Sequence, residues 1–393
     1  MAWDLRRASV AVRSVNVVGI GQTPVGEHWE RPLKDLAGEA ALAAIADAGV
    51  DRIDGVFVGN MLSPTLNRQM HLGALVADWI GLRGIEAVKI ESACGSGGSA
   101  ARAAWLAVAS GAMEAALVVG VEKMTDTPGH ETTAALATAA DADDEADQGV
   151  SFVALNALLM RRYMHEYGWR HEDFAAFSIN AHANAVTNPC ARLREAITAD
   201  DYVRARMISD PINLLDASPI GDGAAALILA AEGLDGSKVS PRVAASAVAT
   251  DSIAVHARHD PLWLAAAERS AAEAYAQAGV GAADIDMFEL HDAFSIMAAL
   301  SLEACGFSPR GQAPRLGREG AIAVGGRIPI ATRGGLKARG HPVGATGVYQ
   351  LVEVVQQLRG EAGPTQVEGA RVGMAQNIGG SGATVVTHIL VRE

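Results

Sequence analysis

Cys94 has the sequence context of a reactive nucleophile. It lies between a predicted strand ending near Ile90 and an alanine-rich predicted helix over 100–110, in a turn rich in glycine and serine. A strand-to-helix turn places the thiol at a helix N-terminus, where free N–H groups and the helix dipole favour a thiolate. A passive buried cysteine is the commoner fate of this residue type. The glycine-rich turn favours the nucleophile instead.

His341 is the matching candidate in the second half of the chain. It belongs to the glycine-rich segment Gly334–Gly347, which leads into a predicted helix over 348–358. We therefore expect His341 at a helix start, the position that Cys94 takes in the first half. If the halves pair about a pseudo-two-fold axis, thiol and imidazole face each other, which is the geometry of a base-activated nucleophile. The alternative is that the histidine and Pro342 only cap a helix.

Two further segments follow predicted strands and carry groups that could act on a carbonyl. His291 comes directly after the predicted strand Met287–Leu290, and ligands bind at the carboxyl ends of strands in open α/β sheets. The segment Met374–Gly382 is rich in glycine, so its free N–H groups could form an oxyanion hole. Both segments are candidates for the same site as Cys94 and His341.

An internal repeat explains where these candidates lie. Ala41–Val50 is the end of a predicted alanine-rich helix that Gly49 closes, and it is identical to Ala271–Val280 at six of ten positions. Each copy leads through an Ile-Asp pair into a predicted strand, which is Gly55–Gly59 in the first copy. We infer a duplication with a period near 230 residues, in which alternating strands and helices predict βαβ units and a mostly parallel sheet. A stretch richer in charge and histidine separates the copies. The predicted division is an N-terminal half at 1–125 and 210–245, a loop domain at 126–209, and a C-terminal half at 246–393.

The composition indicates a large globular chain in a reducing compartment. Half of the 393 residues are apolar, which argues against disorder and predicts two packed lobes. The three cysteines lack a CxxC spacing, so the sequence predicts no disulfide framework and no metal site, and it favours the cytoplasm. No membrane span is predicted. The net charge of −13 argues against nucleic acid, and an anionic cosubstrate needs a local basic patch, for which the candidates are Arg333, Lys337 and Arg339.

In their order along the chain, these motifs resemble those of the thiolase superfamily, most closely its archaeal-type and sterol-carrier-type members. The shared blocks are the Cys94 turn, His291-Asp-Ala-Phe, Gly340-His-Pro-Val-Gly-Ala-Thr-Gly and Asn377-Ile-Gly-Gly, and they cover essentially the whole chain. The resemblance implies an α/β thiolase fold, with two duplicated βαβ halves in a five-layered α-β-α-β-α arrangement and an inserted loop domain that binds coenzyme A. It also implies a homodimer or tetramer.

The resemblance also implies roles for individual residues. Cys94 is the acylated nucleophile, and His341 takes its proton and helps to hold the thioester oxygen. The N–H groups of Cys94 and Gly379 form the other oxyanion hole. Well-known thiolases carry a second catalytic cysteine where this chain has Asn377, and sterol-carrier-type enzymes carry it in His-Asp-Cys-Phe, where this chain has alanine. His291 is then the remaining group able to move a proton near Cys94, and Asn377 is a candidate supporting residue.

The function implied is that of an acetyl-CoA C-acyltransferase or acetyltransferase. It makes or cleaves a carbon–carbon bond of a β-ketoacyl-CoA through acyl-Cys94, with coenzyme A as a substrate and no cofactor. One alternative is another enzyme, either a thioester retro-aldol lyase or a decarboxylating ketoacyl synthase-like enzyme. A second alternative is a non-catalytic scaffold that binds acyl-CoA. The partners implied by resemblance are a small OB-fold protein with a zinc ribbon and, in some cases, a hydroxymethylglutaryl-CoA synthase.

Overall fold

The computed structural model describes residues 13–234 and 238–393, which form two similar sets of elements around an inserted region. The first set is β1 (Val15–Gln22), α1 (Leu33–Ala48), β2 (Gly55–Gly59), α2 (Ser63–Leu66), α3 (Leu72–Trp79), β3 (Glu86–Ile90), α4 (Ser96–Ala109) and β4 (Ala115–Glu122). The inserted region contains α5 (Gly129–Ala137), α6 (Phe152–Tyr167), α7 (Ala175–Ala185), α8 (Ala199–Arg204), β5 (Met207–Ser209) and β6 (Ile212–Asn213). The strand β7 (Gly223–Ala231) follows it and completes the first set. The second set is β8 (Arg242–Thr250), α9 (Ala265–Ala278), β9 (Met287–Glu289), α10 (Ser295–Ala304), α11 (Ala313–Arg318), α12 (Thr346–Arg359), β10 (Val372–Gly379) and β11 (Thr384–Val391).

The repeat seen in the sequence has a counterpart in the structure. Helices α1 and α9 both end at a left-handed glycine, Gly49 (φ 66°) and Gly279 (φ 70°), a conformation that a residue without a side chain adopts readily. Each helix then leads into a buried strand, β2 or β9. The predicted strand Gly55–Gly59 has the predicted bounds, and the fold class is confirmed.

The nine main strands form one mixed sheet in the order β3-β2-β4-β7-β1-β8-β11-β10-β9. The two halves join where Asn16 of β1 pairs with Arg242 of β8. The pairs β2–β3, β2–β4 and β9–β10 are parallel, whereas β4–β7, β1–β7, β8–β11 and β10–β11 are antiparallel. The prediction of a mostly parallel sheet is therefore wrong. In the β10–β11 hairpin the connection is too short for the crossover that parallel strands need.

Helices cover both faces of each half-sheet and give five layers. Helices α1 and α3 pack on the outer face of the first half-sheet, and α9 packs on β8 and β11 of the second. Helices α4 and α12 contact each other and lie between the two half-sheets. The outer packing is close because β1 carries glycine: a Cβ on Gly19 would lie 2.3 Å from the Ala44 carbonyl oxygen of α1.

The inserted region packs against the second half through a shared core. Helices α6 and α7 both contact α10, and Met160, Tyr163 and Phe177 are buried in the same cluster as Met297. The boundaries predicted for a separate loop domain remain a prediction. Within the described parts of the chain, no helix is both long and apolar enough to cross a membrane.

Candidate active site

The Cys94 turn joins the end of β3 to the start of α4. Ala93, the residue before the cysteine, has a left-handed backbone (φ 52°), which persists only where the surrounding structure enforces it. The Gly95 N–H donates to the Ser92 carbonyl (2.9 Å) and the Ser96 N–H to the Ala93 carbonyl (3.1 Å), which closes the turn. Helix α4 begins two residues after Cys94, so the thiol lies beside a helix N-terminus as the sequence predicted.

Burial, more than the helix, sets the ionisation of Cys94. Removal from water raises the pKa of the thiol to about 12, and the nearby Glu122 carboxylate acts in the same direction. The backbone N–H groups of Cys94 and Gly380 point at the sulfur and oppose this rise with smaller effects. The N–H groups beside the sulfur act in the direction that the sequence predicted, toward the thiolate, but desolvation penalises the charged form more. At neutral pH, Cys94 is a thiol.

His341 is carried by the glycine-rich segment directly before a helix start. A 3-10 turn over Val343–Ala345 begins two residues after His341 and runs into α12 at Thr346, so the histidine lies beside a helix start as the sequence predicted. The backbone of His341 forms a parallel bridge with Ile220, and its N–H donates to the Pro219 carbonyl (3.0 Å). These two contacts fix the backbone of His341 in front of the helix.

The hydrogen bonds of His341 define which ring nitrogen is free. Its Nδ1 lies 2.7 Å from the Thr346 hydroxyl, and that hydroxyl donates to the Pro342 carbonyl (3.2 Å). Because a hydroxyl has one proton to donate, it accepts the Nδ1 proton and leaves Nε2 with a lone pair. Burial holds the pKa of His341 well below its usual value, and the electrostatic effects of His291 and Arg339 add smaller contributions in the same direction. The ring is therefore neutral at pH 7, the state that a general base requires.

His291 has the opposite arrangement of ring nitrogens. Its Nδ1 is 3.3 Å from both the Ile378 backbone nitrogen and the Asn377 side-chain amide, and both groups donate. The proton of the neutral ring is therefore on Nε2. Burial, aided by Arg339, lowers the pKa of His291 to about 3. The rings of His291 and His341 meet edge to face with centroids 5.1 Å apart, so a hydrogen-bond donor and a base stand side by side.

Asn377 connects the parts of the site. Its amide nitrogen donates to the Cys94 carbonyl (3.0 Å) and lies near His291, while its oxygen accepts from the Gly98 N–H (3.0 Å). An amide does not exchange protons at neutral pH, so this side chain cannot replace a second catalytic cysteine. Its contacts orient the Cys94 turn and His291, which is consistent with a supporting role.

The N-terminal turns of α4 and α12 meet because glycines line both. A Cβ on Gly97 would lie 3.0 Å from the Gly344 carbonyl oxygen, and a Cβ on Gly347 would lie 2.3 Å from the Gly98 nitrogen. Only residues without side chains allow this approach. The approach brings the first half of the chain, with Cys94, against the loop that carries His341.

Cys94, His291 and His341 line one cavity of about 200 Å³. Much of its remaining wall is apolar and comes from α5, α6 and α10, including Leu136, Phe152 and Met297. Gly380 belongs to this wall, whereas Gly379, which the sequence predicted for the oxyanion hole, does not. The Gly379 nitrogen lies beside the Cys94 turn, 3.2 Å from the position of a Cβ built on Gly95. The inserted region therefore covers a site whose reactive groups come from both halves.

A larger cavity of about 890 Å³ adjoins the first, and Ala217 and Ser218 line both. Its wall carries the cationic side chains Arg192, Arg194 and Lys337. Lys337 is buried and donates to the Ala217 carbonyl (2.8 Å), and burial lowers its pKa to about 8. The arginines of this wall were missed in the sequence, where they stand in an unremarkable polar segment.

Arg333 and Arg339, two of the three residues predicted to contact phosphate, are buried in the interior of the protein. Arg339 is fully buried in an ion pair with Glu353 (2.8 Å), and Arg333 is buried against the Ala362 carbonyl (2.8 Å). Neither guanidinium is open to a phosphate, because the loop that carries them folds into the interior. Of the three, Lys337 lines the larger cavity, whereas Arg333 and Arg339 line neither of the two cavities described above.

Glu122 is a further residue near the site that sequence reasoning missed. It ends β4, its side chain is fully buried, and burial raises its pKa to about 7 despite several backbone hydrogen bonds. A signal was present, because Glu122 is the one charged residue of the otherwise apolar strand Ala115–Glu122. A buried charge at the end of an apolar strand is costly and calls for a specific reason.

Family models match both halves of the chain. The model described as thiolase, N-terminal domain, matches residues 15–233, and the model described as thiolase C-terminal domain-like matches residues 247–392. An acetyl-CoA acetyltransferase of Methanothermobacter thermautotrophicus is 44% identical over 385 residues, which cover 97% of this chain and 100% of that protein. Sterol carrier protein 2 of Homo sapiens is 32% identical over 96% of this chain and 72% of that protein.

A chain in the solved structure of the Ltp2-ChsH2(DUF35) aldolase has a TM-score of 0.84 and 25% identity, covering 98% of this chain and 99% of that one. The fold, the paired family models and these relatives agree on the class of protein. The chain belongs to the thiolase family. It is a thiolase enzyme, similar to acetyl-CoA acetyltransferases, and this sets aside the non-catalytic scaffold.

Proposed function

We propose that the protein transfers an acyl group through a thioester on Cys94 and makes or cleaves the carbon–carbon bond of a β-ketoacyl-CoA. The observation that carries the proposal is the single cavity holding a protonated thiol and a neutral imidazole with a free Nε2. Membership of the thiolase family supports the reaction class. The similarity to an acetyl-CoA acetyltransferase supports transfer of short acyl groups.

In the cleavage direction, the Cys94 sulfur attacks the β-carbonyl of the substrate while Nε2 of His341 takes the thiol proton. Coupling the two events avoids a buried thiolate–imidazolium pair, which the pKa shifts of both groups disfavour. The N–H groups of Cys94 and of the Gly379–Gly380 turn stabilise the oxyanion. Removal of one such donor raises the barrier by about 3–4 kcal/mol in comparable enzymes.

Collapse of this intermediate breaks the carbon–carbon bond and leaves the acyl group on Cys94. The departing acetyl-CoA enolate takes the proton that His341 received, and the neutral His291 donates its Nε2 proton as a hydrogen bond to the enolate oxygen. A molecule of coenzyme A then attacks the acyl-cysteine, and its thiol proton returns through His341 to Cys94. This route needs no second cysteine, which accords with Asn377 at that position.

We place the nucleotide end of coenzyme A in the larger cavity. It adjoins the catalytic cavity at Ala217 and Ser218, so a thioester arm could reach Cys94 from it. Arg192, Arg194 and Lys337 supply the local positive charge that an anionic substrate needs on a chain of net charge −13.

Intact-protein mass spectrometry after mixing with acetoacetyl-CoA tests the acyl-enzyme. The proposal expects an acetyl adduct on the wild-type chain and none on the Cys94→Ser variant. An unmodified wild-type protein that still cleaves acetoacetyl-CoA would contradict the acyl-Cys94 route.

A retro-aldol lyase is the second candidate function. The observation that favours it is the extensive structural similarity to a chain of the Ltp2-ChsH2(DUF35) aldolase. A lyase on a β-hydroxyacyl-CoA does not require an acyl group on Cys94, so it predicts turnover of a hydroxyacyl thioester without a mass adduct. The same mass measurement therefore separates the two candidates.

A second polypeptide partner is also proposed. The name of that aldolase joins two components, Ltp2 and ChsH2(DUF35), which supports a search for a small OB-fold partner. A homodimer or tetramer and an association with a hydroxymethylglutaryl-CoA synthase remain predictions. Light scattering of the purified chain, with and without candidate partners, measures each assembly.

A further inference from the structure

Glu122 is a buried carboxylate near the site that accepts four hydrogen bonds. Its Oε2 accepts from the Met61 N–H (2.9 Å) and the Gly344 N–H (3.0 Å). Its Oε1 accepts from the Leu62 N–H (3.0 Å) and the Asn60 side-chain amide (2.8 Å). All four partners are donors, so the site is built for an acceptor on both oxygens, which a carboxylate supplies and an amide does not.

These four bonds connect the two halves of the chain. Asn60, Met61 and Leu62 follow β2 in the first half, whereas Gly344 belongs to the loop that carries His341 in the second. The contact is close, because a Cβ on Gly344 would lie 2.6 Å from Oε2 of Glu122. Glu122 is therefore a direct link between the body of the first half and the loop of the general base.

The same side chain also connects to the strand that carries the nucleophile. The backbone N–H of Asn60 donates to the Ile90 carbonyl (3.3 Å) at the end of β3, four residues before Cys94. The Asn60 amide donates to both Glu122 and the Val121 carbonyl (2.9 Å). Hydrogen bonds therefore connect Glu122 through Asn60 to the strand before Cys94, and directly through Gly344 to the loop that carries His341.

We propose that Glu122 is a positioning residue whose carboxylate holds the Gly344 segment, and with it Nε2 of His341, at the distance that proton transfer from Cys94 requires. This inference rests on the proposed function, because it assumes that His341 acts on Cys94. It gives a reason for a buried charge that contributes no group to the cavity wall. The cost of burying the carboxylate is offset by its four hydrogen bonds.

The charge of Glu122 acts on Cys94 in a second, separable way. Lys89 is a cation near Glu122, Glu91 in turn faces Lys89, and Cys94 is the other titratable group that Glu122 influences. Removal of the charge makes the thiol easier to ionise, since a neighbouring negative charge disfavours the thiolate. Loss of the Glu122 charge therefore lowers the pKa of the Cys94 thiol, whereas shortening of the Glu122 side chain with the charge kept does not.

Two variants separate these effects. Glu122→Gln removes the charge and turns an NH₂ group toward backbone donors, whereas Glu122→Asp keeps the charge but shortens the side chain. The matched control is Glu303→Gln, since Glu303 is also a buried carboxylate, bonded to the Ala313 N–H (2.9 Å) outside the cavity wall. The measurements are kcat/KM for acetoacetyl-CoA thiolysis, the pH midpoint for Cys94 alkylation by iodoacetamide, and the melting temperature.

For Glu122→Gln we expect thiolysis to fall about a hundredfold, the size of effect that a misplacement of about 1 Å produces, while the alkylation midpoint moves to lower pH. For Glu122→Asp we expect a similar fall with the midpoint unchanged. Glu303→Gln is expected to change the melting temperature alone.

The inference is wrong if Glu122→Gln turns over like wild type. It is also wrong if kcat/KM of Glu122→Gln falls while the pH midpoint of Cys94 alkylation stays unchanged, since general destabilisation would give that result. If Glu122→Gln does not fold, the Glu122→Asp variant decides: full activity of a folded Glu122→Asp variant contradicts the positioning role of Glu122.

The acetyl adduct on wild-type Cys94 distinguishes this failure from failure of the proposed function. A wild-type protein that never acquires the adduct contradicts the proposed function itself. A wild-type protein that acquires it, beside a Glu122→Gln variant that acquires it at the same rate, contradicts only the positioning role.

Discussion

The turn that carries Cys94 and the loop that carries His341 come from corresponding halves of a duplicated chain, and they hold different reactive groups in similar positions. Cys94 lies in an isolated bridge two residues before α4, and His341 lies in an isolated bridge two residues before the 3-10 turn Val343–Ala345 that runs into α12. Burial raises the pKa of the thiol and lowers that of the imidazole. Each half thus holds its group in the neutral form.

The two halves therefore differ in the reactive side chain that corresponding segments carry over the same framework. A neutral thiol and a neutral base can share a small buried cavity at little electrostatic cost, whereas the ion pair would be penalised by desolvation of both charges. The proton must then move as the substrate is attacked. Substitutions can alter the thiol side and the imidazole side of the site separately.

The largest effect is expected from the nucleophile side. Cys94→Ser replaces the sulfur with a hydroxyl that His341 deprotonates far less readily, so thiolysis of acetoacetyl-CoA should fall by roughly 10⁴-fold or more. Steady-state kinetics measure the fall. Cys305→Ser, at a buried thiol outside the cavity wall, serves as the control and should retain turnover if it folds. Comparable losses in both variants would argue against a special role for Cys94.

Removal of the base side should cost less than removal of the nucleophile. His341→Asn leaves the thiol without its proton acceptor, and we expect kcat to fall by roughly 10²–10⁴-fold. Iodoacetamide alkylation of Cys94 at high pH should persist in this variant, because hydroxide then removes the proton. A variant with unchanged kcat would show that another group accepts the proton.

A smaller effect is expected from the residue that orients the base. Thr346→Val removes the hydroxyl that accepts the Nδ1 proton of His341, so the ring can adopt the unproductive tautomer. We expect kcat to fall about 10–100-fold with KM nearly unchanged. Thr346→Ser keeps the hydroxyl and should restore most of the rate. Failure of serine to restore it would assign the loss to packing.

The pH dependence of kcat/KM distinguishes the contribution of the Glu122 carboxylate from those of His291 and His341. Glu122 has a pKa raised to about 7, so its positioning carboxylate is lost as pH falls through that value. His291 and His341 titrate at lower pH and stay neutral there. We expect kcat/KM to fall about tenfold per pH unit below about pH 7, and this limb should disappear in Glu122→Gln. An acid limb that persists in the variant would assign it to another group.

The smallest effect concerns binding alone. Lys337 lies on the same loop as His341 but faces the larger cavity. Lys337→Met should raise KM for coenzyme A about threefold to tenfold, with kcat unchanged, because one charge-assisted contact is lost. Glu195→Gln, on the same wall, is the matched control and should not raise KM. A fall in kcat for Lys337→Met would place the lysine in the chemistry.

Much of the framework was predictable because local patterns and short-range chemistry encode it. The alanine-rich helix ending at Gly49 and the apolar strand Gly55–Gly59 were predictable from periodicity and from the glycine stop. The mixed direction of the sheet was not predictable in this way. Strands β7 and β11 are apolar runs whether their neighbours are parallel or antiparallel, and only the order of the strands in the sheet decides that.

The site was predictable to the extent that its groups stand in distinctive turns. Cys94, His291 and His341 were selected from such turns, and they line one cavity. Arg333 and Arg339 were misplaced because a basic residue in a glycine-rich loop looks the same whether it faces solvent or a buried carboxylate such as Glu353. Glu122 was missed because three of its four donors are backbone N–H groups, which any sequence supplies.

By itself, the sequence determined the duplicated α/β framework, the thiolase resemblance and the identity of the three reactive side chains, because these depend on residue type and local order. The tertiary structure alone decided the protonation of Cys94 and His341, the role of Asn377 as a connector, and the link that Glu122 makes between the halves. Those properties depend on burial and on hydrogen bonds between residues more than 200 positions apart, such as that from Gly344 to Glu122.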